Sequence, residues 1–172
     1  MRHHLQTNHS RLSARLAVLL ITMLSCVGCD QVTKSLVRSW LVPGQTVSLL
    51  AGVVRLQYQQ NAGAFLSAGD SVPSGARRAL FTFGGAVLVA GAMGWALFSQ
   101  RTRVSGTIGA ALICSGGLGN LIDRFSQGGY VTDFLNVGIG AVRNPGIFNL
   151  ADTALMLGIL LVLHDEMAPR HQ

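Results

Sequence analysis

GGLGNLIDRFSQGGYVTDF, residues 116–134, decides how this chain is organised. It begins inside an apolar, glycine-rich run and meets Asn120, Asp123 and Arg124 where that run ends. It then turns through Gly128-Gly129 and reaches Asp133 with Phe134 directly behind it. Only 12% of the 172 residues are charged, so polar groups gathered at the end of an apolar run need a structural or chemical reason. On a helix, Gly116, Asn120 and Asp123 or Arg124 recur at spacings of three and four and share one stripe. At the edge of hydrocarbon such a stripe points into a bundle, where its polar groups find partners.

The runs around this stretch are long. Residues 79–100 and 104–122 hold no charge, and each is long enough as a helix to cross about 30 Å of hydrocarbon. Residues 16–29 form another apolar run, and 147–163 carry one charge, Asp152. The chain is 49% hydrophobic with a mean hydropathy of +0.44, which is high for a soluble domain. The expected architecture is an all-α integral membrane protein, a single membrane-embedded domain over residues 1–172. Its four transmembrane helices fall near 12–33, 79–100, 104–123 and 146–164, after a tail at 1–11. The segments 35–77 and 125–144 then lie outside the membrane, and both termini share one side. Arg2, Arg11, Arg15, Arg101, Arg103 and Arg170 lie on the terminus side, against Lys34, Arg38, Arg55, Arg77, Arg78, Arg124 and Arg143 on the other. Raw counting does not choose between orientations. The arginines before the first span and in the short 101–103 link favour cytoplasmic termini.

A net charge of +6 raises nucleic acid as a partner, but the basic residues are scattered and form no basic helix. Anionic lipid headgroups account for them more simply. Cys26 and Cys29 form a C-x-x-C without a second pair, Cys114 lies mid-span, and they are taken as small apolar filler rather than a redox or metal site. Residues 1–29 have the basic start, apolar run and small residues of a secretory signal. Val27-Gly28-Cys29 resembles the end of a lipidation motif, although Cys26 stands where leucine is usual. The segment is expected to stay as a first helix, continuing to Lys34 or beyond. Asp30 and Lys34 are four apart on one face, the spacing of a helix-end ion pair.

Pro43-Gly44 ends that helix. Residues 46–49 and 54–59 alternate in polarity about Ala51-Gly52, the pattern of a β-hairpin. With the turn at Asn61-Ala62-Gly63-Ala64-Phe65, the hairpin is either a platform for an extended peptide or a plain connection. Ala86, Ala90 and Gly94 make a small-residue stripe expected to pack helices closely, so Ala86→Leu should harm packing. Gly106, Gly109, Ala110, Gly116 and Gly117 suggest the same for the third span. Phe134, Leu135, Val137 and Ile139, interleaved with glycines, suit a flexible surface segment, a candidate gate. Asn144-Pro145 suits a helix start, which would put Asp152 roughly 10 Å along the fourth span.

Two carboxylates stand out. Asp152 is the one charge inside a span, and Asp133 sits on a loop that leaves and returns at one membrane face. Brought together, they cannot both ionise readily, so one holds a proton and the other acts as a base. That pair can activate water and protonate a leaving amine. The histidines, at 3, 4, 9, 164 and 171, lie in the tails, so neither a Ser-His pair nor a zinc site assembles around them. No metal or cofactor is expected.

Five segments together resemble the bacterial lipoprotein signal peptidases, or type II signal peptidases. They are Asp30-Gln31-Val32-Thr33-Lys34, Asn61-Ala62-Gly63-Ala64-Phe65, Gly119-Asn120-Leu121-Ile122-Asp123-Arg124, Val131-Thr132-Asp133-Phe134 and Phe148-Asn149-Leu150-Ala151-Asp152. The resemblance implies a catalytic dyad of Asp133 and Asp152. It implies supporting or substrate-holding roles for Asp30, Lys34, Asn61, Gly63, Asn120, Arg124 and Asn149. It implies an aspartic endopeptidase of the bacterial inner membrane with its active site at the outer face and a small extracytoplasmic sheet. Its substrates would be prolipoproteins bearing a diacylglyceryl cysteine, cleaved just before that cysteine, and globomycin-like cyclic peptides would inhibit it. The chain departs from the family in its long histidine-containing tail and in the lack of aromatic residues over 138–143. The competing classes are a small four-span transporter relaying ions through Asp30, Asp123 and Asp152, and a lipid-anchored adaptor resting on Cys29.

Overall fold

The computed structural model describes residues 2–63, 73–99, 102–138 and 146–169. Four long helices and a three-stranded sheet make up the fold: α1 (Arg2–Trp40), β1 (Thr46–Leu49), β2 (Val54–Asn61), α2 (Ser74–Phe98), α3 (Val104–Ser126), β3 (Val131–Val137) and α4 (Leu150–Met167). The protein is therefore mostly helical rather than all-α. Among the described residues, three stretches are long and apolar enough to cross a membrane, namely Leu12–Trp40, Gly75–Phe98 and Val104–Ser126. α4 has 18 residues and carries Asp152, Asp165 and Glu166.

α1 runs six residues past Lys34, because nothing breaks it before Pro43-Gly44, where Gly44 takes a φ of 87°. Residues 35–40 are thus helix, and Asp30–Lys34 is not a helix end. The hairpin forms as expected. β1 and β2 pair antiparallel, Thr46 opposite Gln57 through Leu49 opposite Val54. Their link passes through Leu50, Ala51 and Gly52, all left-handed at φ 49°, 53° and 84°.

The segment after α3 differs from the expected flexible surface piece. Residues 131–137 form β3, which pairs antiparallel with β2 and puts Asp133 opposite Gln59. The far edge of β3 bridges Phe148, whose carbonyl accepts from the Leu135 N–H at 2.8 Å. Ala64-Phe65, Ile139 and Asn144-Pro145 lie outside the described residues. Residues 146–149 are not helical. α4 starts at Leu150 with Asn149 as its N-cap, so Asp152 stands in the first turn instead of two turns down.

α3 is the central helix, packed by α1, α2 and α4. Its glycines set the approach: a Cβ on Gly109 would lie 2.9 Å from the Gly158 carbonyl oxygen, and one on Gly119 would lie 2.6 Å from the Asp30 carboxylate. The Ala86-Ala90-Gly94 stripe does not pack helices. Ala86 and Ala90 are exposed, and a Cβ at Gly94 would meet nothing within 4 Å. α2 instead meets α3 through Gly85, beside Leu121, and Val89, against Gly117. Small residues alone do not reveal their direction in lipid, because the hydrocarbon side is equally apolar. Gly116→Leu should therefore fail, its Cβ driven into the Ala151 carbonyl oxygen and to 2.9 Å from Leu155 Cβ. Overpacking of this kind costs about 1–3 kcal/mol or more. Size-exclusion profiles and thermal midpoints in detergent should show loss of folded Gly116→Leu protein and near-wild-type Ala86→Leu; the reverse order would contradict this packing.

Candidate active site

The first turn of α4 builds one half of the site. Asn149 and Asp152 form a reciprocal capping box: Asn149 Oδ1 accepts from the Asp152 N–H at 2.9 Å, and Asp152 Oδ2 accepts from the Asn149 N–H at 3.2 Å. Asparagine followed by an acid three residues on satisfies two helix-start N–H groups at once. The other oxygen of Asp152, Oδ1, accepts from Asn120 Nδ2 at 2.8 Å.

β3 supplies the other half. Asp133 is 2% exposed. Its Oδ1 accepts from Asn149 Nδ2 at 2.7 Å, and its Oδ2 accepts from Asn61 Nδ2 at 2.9 Å. Asn61 reaches it diagonally across the β2–β3 ladder, since Asn61 pairs with Val131. Asn61 Oδ1 in turn accepts from the Gly63 N–H at 2.8 Å, and Arg124 donates to the Gly63 carbonyl at 3.0 Å. Arg124 therefore holds the turn that orients Asn61. Burial, and after it the charge of Asp152, pushes Asp133 up to about 7 from 3.8, while the bonds from Asn61 and Asn149 act the other way.

Beneath the two carboxylates lies a buried ion network. Lys34, wholly buried, is 2.8 Å from Asp30 and 3.3 Å from Asp123. It also donates to Asn120 Oδ1 at 3.0 Å, so the amide N–H₂ of Asn120 faces Asp152. Asp30 Oδ1 accepts from the Ala151 N–H at 3.0 Å, pinning the first turn of α4 to α1. Asp123 Oδ2 accepts from the Thr132 N–H at 2.9 Å, which fixes β3 just before Asp133. All nine sequence-nominated residues thus belong to one connected arrangement. Among the described residues it also takes in Asp123, Gln31, which donates to Asp30 and the Gly119 carbonyl, and Arg38 and Thr132, where Arg38 donates to the Thr132 hydroxyl at 3.1 Å. Asp123 lies on the polar stripe, and Gln31 and Thr132 lie in segments that carry the resemblance; Arg38 has no such signal.

Asp133 and Asp152 line one cavity of about 480 Å³. Asn61, Asn120 and Arg124 add polar groups to its lining, and Leu80, Phe81, Leu88 and Leu155 supply apolar wall. The Arg124 guanidinium lies 6.0 Å over the Phe81 ring.

A sequence model described as "Signal peptidase (SPase) II" matches residues 22–168. The chain belongs to the signal peptidase II family. Similar proteins include the lipoprotein signal peptidase of Streptococcus pneumoniae, 33% identical over 86% of this chain and 90% of that one. Those of Gloeothece citriformis (35% identical; 84% and 85% covered) and Desulforapulum autotrophicum (37%; 80% and 84%) are alike in extent. Two solved bacterial membrane enzymes, determined by the in meso method at 2.3 and 1.9 Å, share the fold with TM-scores of 0.77 and 0.78. They are 21% and 22% identical and cover 91% and 90% of this chain, and 93% and 95% of their own. This family member is a membrane peptidase, as its apolar helices and its matches agree.

Proposed function

We propose that this signal peptidase II is an aspartic endopeptidase that removes signal peptides from diacylglyceryl-modified prolipoproteins, with Asp133 and Asp152 as its dyad. The observation that carries the proposal is two carboxylates, held through Asn149 and Asn120, that line one cavity together with apolar wall. An amphiphilic substrate fits such a cavity: the lipidated side lies against Leu80, Phe81 and Leu88 while the peptide bond faces the acids. The ionised carboxylate takes a proton from water, whose oxygen adds to the scissile carbonyl carbon. The protonated carboxyl gives its proton to the carbonyl oxygen, and collapse of the adduct expels the new amine with a proton returned by the dyad. Asp30, Lys34, Asn61, Gly63, Asn120, Arg124 and Asn149 orient the pair or the bound peptide. In this reading the protein lies in the bacterial inner membrane, with α4 as its fourth span, cytoplasmic termini and the site at the outer face. Globomycin-like cyclic peptides would compete for the cavity.

The pair titrates as a unit, and its shared proton sets the pH dependence. Asp133 is pushed up to about 7, so the acid form the pair shares is present below that value and lost as pH rises through it. The same sign applies to folding. A carboxylate raised from 3.8 to about 7 contributes stability that is lost as pH climbs through that window. The test is purified protein with a diacylglyceryl prolipoprotein, product masses read across pH 5–9. Expected are a cut just before the lipidated cysteine and a kcat/KM that falls on the alkaline side with an apparent pKa near 7. No cut, or a flat profile to pH 9, would overturn the assignment.

A further inference from the structure

The apolar wall and the acids of the cavity stand on different elements. Leu80, Phe81 and Leu88 come from α2, while Val131 and Asp133 come from β3. Further along the chain α2 closes on α3, with Gly85 beside Leu121 and Val89 against Gly117. Nearer its start α2 stands off: a Cβ on Gly84 would meet nothing within 4 Å, and Gly84 and Gly85 line the cavity. We propose that Arg78 and Tyr130 form a strut that sets the distance between this wall and the acids, and so fixes how tightly the cavity grips the lipid-bearing end of the substrate. The proposal rests on the peptidase reading above.

Arg78 stands two residues before Leu80, and Tyr130 directly precedes β3. The Arg78 guanidinium lies 4.7 Å from the centroid of the Tyr130 ring, and its Nη2 donates to the Tyr130 hydroxyl at 2.7 Å. Both residues are half-buried, and a cation over an aromatic face gains strength as water is excluded. Among the described residues no carboxylate pairs with Arg78, so the ring and the hydroxyl, rather than an ion pair, hold its head. The turn before Tyr130 presses on its stem. A Cβ on Gly129, at φ 96°, would lie 2.6 Å from Arg78 Cδ and 3.0 Å from its Cγ. A planar guanidinium can stack and reach the hydroxyl at once, which a lysine ammonium cannot.

A second contact runs alongside. The Arg124 guanidinium lies 6.0 Å over Phe81, one turn further along α2, while it donates to the Gly63 carbonyl. The start of α2 is thus tied both to the entry of β3 and to the turn that orients Asn61. Neither Arg78 nor Tyr130 lines the cavity beside the carboxylates, so losing the strut shifts the wall without touching the reacting atoms.

The test compares steady-state cleavage of a diacylglyceryl prolipoprotein with hydrogen exchange of the substrate-free protein in detergent. Arg78→Leu and Tyr130→Ala should each raise KM about tenfold with kcat within about threefold of wild type, the signature of lost binding rather than lost chemistry. Tyr130→Phe, which keeps the ring and loses only the hydroxyl, should raise KM about threefold. The double variant Arg78→Leu with Tyr130→Ala should be no worse than either single exchange, because all three lose the same contact. Amides of residues 79–84 should exchange about tenfold faster in Arg78→Leu and Tyr130→Ala, with 90–97 unchanged. An unchanged KM in Arg78→Leu, a loss confined to kcat, penalties that multiply in the double variant, or unaltered exchange would each overturn the strut. Exchange is read without substrate, so it decides on the strut even where the wild type cuts no lipidated prolipoprotein and the peptidase reading itself fails.

Discussion

Asp133→Asn and Asp152→Asn should each cut turnover of a lipidated prolipoprotein about 10³–10⁴-fold, the upper part of what a positioned acid or base supplies. An amide can neither take a proton from water nor return one to the departing amine. The loss should fall on kcat, because both residues act on the reacting atoms while the apolar wall of the cavity still holds substrate. Each exchange also disturbs hydrogen bonds, since both oxygens of both acids accept N–H groups. The measurement therefore pairs single-turnover cleavage with a thermal midpoint and an elution profile. A folded Asp133→Asn or Asp152→Asn protein that cleaves at a tenth of the wild-type rate or faster would sink the dyad.

Lys34→Met should be the most damaging exchange for stability. It removes one ammonium from between Asp30 and Asp123, both essentially unexposed. Breaking a buried pair by deleting one partner costs about 3–5 kcal/mol, because the remaining charge is left uncompensated. For a chain of this size that is a drop of roughly 10 °C in the thermal midpoint. The damage should not stop at stability. Asn120 Oδ1 keeps only the longer bond from Asn149, so its grip on Asp152 loosens. Thermal unfolding of Lys34→Met in detergent decides the matter: a midpoint within 2 °C of wild type would show that the network adds little.

Much of the site was legible in the sequence because polar residues are rare in apolar runs. Asp152, Asn120 and Arg124 drew notice by position alone, and Asp30 and Lys34 by their spacing. The bonds they form were not legible, since Lys34 reads locally as the partner of Asp30 and only the fold brings Asp123 and Asn120 to it. β3 was missed for the same reason: its partner strand lies some 70 residues earlier and Val131–Val137 shows no clean alternation. The start of α4 was within reach. Asn149 three residues before Asp152 is a capping-box pattern, yet Asn144-Pro145 offered a second plausible start. The α2 stripe misled because small residues face lipid as readily as protein.

The cap of α4 carries a consequence for residue choice. Serine, threonine, aspartate and asparagine all begin helices well, and for the helix alone they are near equivalents. At position 149 the same side chain must accept one N–H and donate to two oxygens on two other elements. Aspartate has nothing to donate at neutral pH, and a hydroxyl has one proton and a shorter reach. Of the four common starters only asparagine meets both demands. The way the last helix begins and the way the acids are held are therefore a single chemical decision.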